Sequence, residues 1–247
     1  MPNKLYLYCV IKADEDKEYG PVGLSTTGAP LSIHLKSLDN LGVVYSHIDL
    51  EDEDEIQPTR KNLINHQKVT ESILQEASVL PFSFGMVVDD MDKLEDLIAE
   101  QGDELKQKLD KIEGKIELSL KIMWENMEPV FAEVVTENAE IQQKREFLAK
   151  HNIQDQNEKI ALGRMVEEAL TAKKDWMLSR VITKLSSKSL DHRVLKNVND
   201  EMFANLAFLI DKNDEKAFDE SVNALSEEMT ENIKFKYVGP LAPYNFL

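Results

Sequence analysis

Histidines, a cysteine and an acidic run are the side chains with which this chain could bind a metal or move a proton. The histidines are His34, His47, His66, His151 and His192, and the one cysteine is Cys9. No two histidines have the i, i+4 spacing of a helical ligand pair, and a lone cysteine cannot form a zinc-binding Cys pair. The acidic run at residues 49–55 lacks the central glycine of a calcium-binding EF-hand loop. The sequence therefore predicts no metal site and no cofactor.

Phosphate binding and nucleophilic catalysis lack their motifs as well. Residues 20–28 are rich in glycine, but they contain no Gly-Lys-Ser/Thr step of the kind that opens the helix of a P-loop. The Gly-x-Ser-x-Gly nucleophile turn is also missing from the sequence. We interpret residues 14–30 as a loop and predict that the protein is not an enzyme.

His66 and Glu117 are ionisable residues whose positions the pattern predicts. His66 lies on the apolar stripe of a predicted helix that begins near Lys61, which is typical of a hydrogen-bonded core histidine rather than a base. Glu117 and Lys121 lie four residues apart in a strongly alternating strand, so they share one face. We expect this pair to meet charges on neighbouring strands of an exposed sheet surface, or to face a partner.

The C-terminal segment is apolar and stiff. Residues 235–247 contain Tyr237, Tyr244, Phe246 and two prolines, which fix the backbone. Such aromatics either pack on their own domain or wait for a partner. We name residues 239–247 the tail, and we expect Gly239-Pro240 to turn it off the last strand and back over the protein.

Composition narrows the classes of partner. The chain has 247 residues, of which 46 are acidic and 29 basic, so its net charge is -17. Such a chain repels nucleic acid and anionic lipid, and no apolar run approaches the length of a membrane span. A single cysteine fits a reducing compartment. The sequence therefore predicts a cytoplasmic protein that binds neither nucleic acid nor membranes.

The order of predicted elements indicates an α+β chain of two domains. Before Gly114 we predict a strand at 5–11, a hairpin at 31–48, a helix from residue 61, a strand at 79–88 and a helix at 91–109. After it we predict a strand at 116–124, two long helices within 127–185, strands at 190–198 and 202–210, a helix at 215–229 and a strand at 233–238. This second order is typical of the ferredoxin-like, split βαβ fold. The predicted domains are residues 1–112, a small α+β domain, and residues 113–247, a ferredoxin-like domain with an enlarged helical-hairpin crossover and a C-terminal clasp.

Several short motifs, taken in order, resemble the gas vesicle protein F/L family over essentially the whole chain. They are residues 6–11 (YLYCVI), His66, residues 79–85 (VLPFSFG), Gly114 to Glu117 with Lys121 and Trp124, Leu162-Gly163, residues 207–210 (AFLI) and the Gly-Pro-x-x-Pro-Tyr-x-Phe of the tail. Each motif alone is weak, but their order is specific. The chain departs from the family pattern at Leu241 and Ala242, where the family commonly has an aromatic residue and a further proline.

The resemblance implies a non-enzymatic accessory protein of gas vesicle formation and a candidate minor vesicle component. Such a protein binds the small hydrophobic shell protein and helps to nucleate or assemble the vesicle, with other accessory proteins as further partners. A shell subunit exposes apolar surface before it polymerises, so an acidic binder with an apolar acceptor could hold it. The candidate contacts are Phe82, Phe84, Tyr237, Tyr244 and Phe246.

Two other classes of function stay open at this point. A ligand-binding enzyme or sensor on tandem ferredoxin-like domains would need a deep pocket with converging titratable groups. A coiled-coil adaptor would use the helical hairpin at residues 127–185 as its binding element.

Overall fold

A computed structural model of the chain describes residues 3–24, 30–50, 56–152, 155–229 and 231–247. The strands are β1 (Asn3–Lys12), β2 (Lys17–Leu24), β3 (Pro30–Leu38), β4 (Leu41–Asp49), β5 (Leu80–Pro81), β6 (Val87–Val88), β7 (Lys115–Trp124), β8 (Asp191–Val194), β9 (Met202–Asp211) and β10 (Ile233–Leu241). The helices are α1 (Arg60–Leu74), α2 (Met91–Ile112), α3 (Met127–Glu137), α4 (Ala139–Lys150), α5 (Gln156–Leu185) and α6 (Glu215–Glu228). This content confirms the predicted mixture of helix and sheet. Residues 51–55 of the acidic run and residues 25–28 of the glycine-rich segment lie outside the described residues.

The chain divides into two compact units. The first is Met1–Leu118 together with Gly239–Leu247, and the second is Ser119–Val238. The sequence predicts limits at 1–112 and 113–247, whereas residues 113–118 and the tail group with the first unit. The division differs because the tail makes its contacts with residues far away in the sequence, which a pattern read along the chain does not reveal.

The first unit is built around β1. Over the described residues its sheet has the order β2-β3-β4-β1-β5, and β6 also pairs with β1. Every residue from Leu5 to Ile11 is buried, which confirms the predicted strand with two apolar faces. Asp39 and Asn40 join β3 to β4 with φ values of 50° and 64°, as expected for the tight turn of a hairpin. Helix α2 supplies the apolar residues that complete this core: Leu94, Ile98, Leu105, Leu109 and Ile112.

Two predictions for the first unit are wrong. Residues 14–30 were expected to form a loop, but they contain β2, which pairs with β3 despite its glycines and Pro21. The strand expected at 79–88 is two short strands, because the chain leaves the sheet between Pro81 and Val87. Gly85 lies in that break with φ of 89°, a conformation that favours glycine. The break brings Phe84 beside His66 of α1, while the Phe82 N–H still donates to the Tyr8 carbonyl of β1 at 2.9 Å.

The second unit contains the sheet order β10-β7-β9-β8. Residues Met202–Ile210 of β9 are all buried, and Phe208 packs on Phe218 of α6 with ring centroids 5.0 Å apart. The predicted first long helix is wrong, since it breaks at Asn138, whose side-chain amide donates to the Val134 carbonyl. The predicted separation near residue 152 falls partly on residues 153–154, outside the described residues.

The ends of two strands in this sheet also differ from expectation. Strand β8 stops at Val194, although a strand was expected up to residue 198. Strand β10 continues through Gly239-Pro240 to Leu241, so the chain leaves the sheet later than expected. No helix within the described residues has the length and apolarity of a membrane span.

Candidate functional site

A buried hydrogen-bond chain joins β1, α1 and the break after β5. The Tyr6 hydroxyl lies 2.7 Å from His66 Nδ1, and the Gly85 N–H donates to the Tyr6 oxygen at 3.3 Å. Because the tyrosine oxygen accepts from Gly85, its own proton is available for His66 Nδ1, which leaves the imidazole proton on Nε2. Burial lowers the pKa of His66 to about 4, and the Phe82 carbonyl opposes this only in part. His66 is therefore a neutral core residue at pH 7, as the sequence predicts.

Four aromatic rings from three segments of the first unit surround His66. Their centroids lie 5.6 Å away for Tyr6 and Tyr8, 5.9 Å for Phe84 and 6.5 Å for Tyr244. We call Tyr6, Tyr8, His66, Phe84 and Tyr244 the His66 cluster. Burial raises the pKa of Tyr6 and of Tyr8, so both hydroxyls stay protonated and act as hydrogen-bonding groups. His66 Nε2 is buried and makes no hydrogen bond among the described residues, so the cluster is a polar core with one unpaired group and an aromatic rim.

The tail is fastened beside this cluster by a buried carboxylate. Glu117 is only 3% exposed. Its Oε2 accepts the Asn245 backbone N–H at 2.9 Å, and its Oε1 accepts the Asn245 side-chain amide at 2.6 Å. Burial raises the pKa of Glu117, while the two Asn245 donors lower it. We call Glu117 and Asn245 the clasp, because both carboxylate oxygens are used to hold the tail.

Three further contacts seat the tail on the first unit. Ala242 and Pro243 are buried. The Tyr244 hydroxyl lies 3.2 Å from Thr70 Oγ1 on α1. The Thr70 hydroxyl donates to the Gln67 carbonyl at 2.8 Å, so the tyrosine is the donor of this pair. At the start of the tail, a Cβ on Gly239 would overlap the Leu118 side chain, so the close approach requires glycine.

The position of Glu117 corrects the prediction of an exposed charge ladder. A glutamate on the outer face of a sheet would be solvated, whereas this one is buried and bonds to an amide instead of a lysine. The alternating pattern correctly indicates that Glu117 lies on the opposite face from Ile116 and Leu118. It does not reveal that the tail covers that face, because the tail is 128 residues away in the sequence.

A cavity of about 500 Å³ lies next to Phe84 and Gly85. Its other lining residues are Lys4, Leu50, Ile56, Pro58, Val87 and Asp89. The Lys4 ammonium pairs with the Asp89 carboxylate at 3.0 Å, so the two charges neutralise each other. The two charged residues that line this cavity are therefore paired with each other. Among the described residues, no three His, Cys, Asp or Glu side chains are grouped to hold a metal ion.

Comparison with known proteins identifies the family of the chain. The model of the family "Gas vesicle synthesis protein GvpL/GvpF" matches residues 4–247. The chain belongs to the GvpL/GvpF family. It is similar to gas vesicle protein F of Microcystis aeruginosa, with 26% identity over 98% of this chain and 97% of the relative. It is also similar to gas vesicle protein F of Dolichospermum flosaquae, with 27% identity over 87% and 86%.

Solved structures show the same fold. The crystal structure of the gas vesicle protein GvpF from Anabaena sp. matches with a TM-score of 0.84 and 23% identity, over 99% of this chain and 98% of that one. The crystal structure of GvpF from Microcystis aeruginosa matches with a TM-score of 0.77 and 24% identity, over 98% of both chains. The family match confirms the resemblance found in the sequence. Members of the GvpL/GvpF family are gas vesicle accessory proteins and are not known as enzymes.

The five candidate contact residues of this GvpL/GvpF-family chain lie in different surroundings. Phe84 and Tyr244 meet at the His66 cluster. Phe82 is half-buried against the core of the first unit, and Phe246 is half-buried within the tail. Tyr237 belongs to the second unit, where its hydroxyl donates to Asp219 at 2.7 Å. The structure thus brings two of the five candidates together.

The sequence pattern misses Tyr6, Thr70 and Asn245 as members of this site. Tyr6 belongs to a strand in which every residue is apolar enough for a core, so nothing marks its hydroxyl as special. Asn245 lies at a position that the Gly-Pro-x-x-Pro-Tyr-x-Phe motif leaves unspecified, between the tyrosine and the phenylalanine. One available signal is Glu117, an acidic residue that is itself part of the family-like motif in β7.

Proposed function

We propose that this GvpL/GvpF-family protein binds the hydrophobic shell protein of the gas vesicle and helps to nucleate or assemble the vesicle. The observation that carries the proposal is the family match over residues 4–247, which leaves almost no part of the chain outside the family. The protein acts without catalysis in the cytoplasm and at the vesicle, with other gas vesicle accessory proteins as further partners.

The charge and the aromatic rim suit this role. A net charge of -17 keeps copies of the chain apart by repulsion, which helps a carrier of an aggregation-prone apolar subunit. Tyr244 remains 38% exposed although its hydroxyl is bonded, so part of this residue is accessible to an apolar partner. We assign the contact to Phe82, Phe84, Tyr244 and Phe246 in the first unit, with Tyr237 as a separate contact on the second.

We also propose that the second half of the chain has the ferredoxin-like architecture. Its element order is strand, helices, strand, strand, helix, strand, and the sheet order β10-β7-β9-β8 supports that assignment. The enlarged crossover then consists of α3, α4 and α5.

Co-purification with the shell protein tests the contact. The tail variant carries Tyr244→Ala and Phe246→Ala. A matched control carries Phe147→Ala and Trp176→Ala, which removes two aromatics that are 54% and 56% exposed in the second unit. We expect recovery of the shell protein to fall about fivefold for the tail variant and to stay unchanged for the control.

Thermal unfolding of the same variants separates binding from folding. If wild-type protein fails to retain the shell protein, the proposed function is wrong. If the tail variant loses stability but its folded fraction still retains the shell protein, the tail is structural and the assigned contact is wrong.

A further inference from the structure

Strand β8 forms an edge of the sheet in the second unit. It is the terminal strand in the order β10-β7-β9-β8 and pairs with β9 alone among the described strands. Bonds from Leu190 N–H to the Leu209 carbonyl (2.8 Å) and from Leu195 N–H to the Asn205 carbonyl (2.7 Å) extend the contact with β9 beyond both ends of β8. On the side of β8 away from β9, the His192 N–H donates to Asp191 Oδ1 at 2.8 Å and the His192 carbonyl accepts from Arg193 at 3.2 Å. The backbone of Val194 is therefore the part of this edge that can pair with another strand.

Large apolar side chains are exposed along this edge. Leu190 is 59% exposed, Val194 54% and Val198 72%. A single exposed apolar side chain is ordinary on a protein surface. Three of them within residues 190–198, at a free sheet edge, form a local apolar surface that is typical of an interaction site.

The charge of the same segment is opposite to that of the whole chain. Residues 188–198 carry Lys188, Arg193 and Lys196 against the single acid Asp191, which gives +3 - 1 = +2, while the chain as a whole carries -17. Arg193 pairs with Asp191 at 2.8 Å. Within the described part of the chain, the ammonium groups of Lys188 and Lys196 make no ion pair. Two positive charges are thus available beside the exposed valines.

These charges indicate what the edge can accept. Two β8 strands from separate copies would bring basic side chains close to one another, which is unfavourable. Lysines on an edge strand commonly prevent such pairing, but that role does not explain the exposed Leu190, Val194 and Val198. An acidic segment with apolar residues satisfies both features, because it can pair with the lysines and cover the apolar side chains.

We propose that β8 is a docking edge for an extended partner segment that carries apolar and acidic residues on the same face. The segment adds a strand beside β8, its apolar side chains pack on Val194 and its neighbours, and its carboxylates face Lys188 and Lys196. The inference goes beyond the proposed function, because it concerns the second unit and uses none of the candidate shell-protein contacts in the first.

Binding of two labelled probe peptides to the full chain tests the proposal. One short peptide has valine and glutamate at every second position, so that both lie on one face of the strand, and the other has valine and lysine in the same arrangement. The edge variant is Lys188→Glu with Lys196→Glu. The matched control is Lys234→Glu with Lys236→Glu, which makes the same change of charge at exposed residues of β10, the other terminal strand of the sheet.

Fluorescence anisotropy should show that wild-type protein prefers the acidic peptide by about tenfold, as expected for two modest ion pairs and one avoided repulsion. In the edge variant the preference for the acidic peptide should fall about tenfold, so that both peptides bind about equally. The β10 control should keep the preference of wild type. Equal binding of both peptides, no binding of either, or an equal loss in both variants would overturn the proposal. Self-association of wild-type protein that disappears in the edge variant would also overturn it, since a second copy would then be the occupant.

Discussion

His66 and Glu117 are two buried ionisable groups of the first unit that differ in what burial does to them. They are 5% and 3% exposed, respectively. Burial disfavours the charged form of both, so it lowers the pKa of His66 to about 4 and raises the pKa of Glu117. At pH 7 the histidine is neutral without further help. A charged glutamate at the same depth requires the two Asn245 donors, so its stability depends on a docked tail.

His66 is thus a residue of the core, whereas Glu117 anchors the tail through hydrogen bonds. Four of the five residues of the His66 cluster belong to β1, α1 and residues 82–85, and only Tyr244 belongs to the tail. The clasp exists only while Asn245 is in place. A partner that displaced the tail would therefore disturb Glu117 strongly, and would reach the His66 cluster only through Tyr244.

The largest expected effect is the pH dependence of stability that His66 causes. Its folded pKa of about 4 lies below the ordinary value of 6.5, so the unfolded chain binds more protons between these values. Stability is therefore lost as pH falls from about 6.5 to about 4, and the loss reaches about 3 kcal/mol. The His66→Asn variant keeps an acceptor for Tyr6 but does not titrate. Urea unfolding from pH 6.5 to pH 4 should show that the free energy of unfolding of wild type falls by about 3 kcal/mol relative to that of His66→Asn.

A constant difference in the free energy of unfolding between wild type and His66→Asn from pH 7 to pH 4 would contradict this explanation.

The pH dependence of stability expected from Glu117 has the opposite sign. Its raised folded pKa means that the folded protein holds the proton more tightly, so acid titration of Glu117 adds stability until the pH falls below the ordinary value near 4.5. Relative to a Glu117→Gln variant, wild type should therefore gain stability on acidification.

The second effect in size is the loss of the clasp. Glu117→Ala removes both acceptors of Asn245, and we expect it to reduce the free energy of unfolding by about 2 kcal/mol. Amide hydrogen exchange in residues 242–246 should become faster, because the tail loses its anchor. The control is Glu113→Ala, which removes an exposed ion pair with Lys12 and should change stability by less than about 0.5 kcal/mol. Unchanged exchange in the tail of Glu117→Ala would show that the apolar seat alone holds it.

The smallest effect concerns the charges at β8. Lys188→Ala with Lys196→Ala should change the free energy of unfolding by no more than about 0.5 kcal/mol, because both side chains are solvated. Chemical unfolding of this variant and of Glu117→Ala, measured in parallel, compares what the lysines beside β8 and what the clasp contribute to the free energy of unfolding. A loss above about 1 kcal/mol at β8 would mean that the lysines are part of the fold instead of an interaction surface.

Local patterns predicted much of the fold and singled out His66, Phe84, Tyr244 and Glu117 among the residues of the site. The apolar run of β1, the Asp39-Asn40 turn and the helical stripe that buries His66 are decided by neighbouring residues, because each follows from side-chain period or turn chemistry. The ordered motifs also indicated the gas vesicle family. Strand β2 was missed because its glycines and proline hide a strand that is held by pairing with β3.

Only the tertiary structure decided what Glu117 and the tail do. In the sequence, Glu117 is a polar residue on the strand face opposite Ile116 and Leu118. The tail is a short aromatic segment that either packs on its own domain or binds a partner. Folding places Asn245 against that carboxylate and Tyr244 against Thr70. The reason is physical: local patterns record which face of an element avoids water, whereas the partner that covers a buried charge is chosen by contacts between residues far apart in the chain.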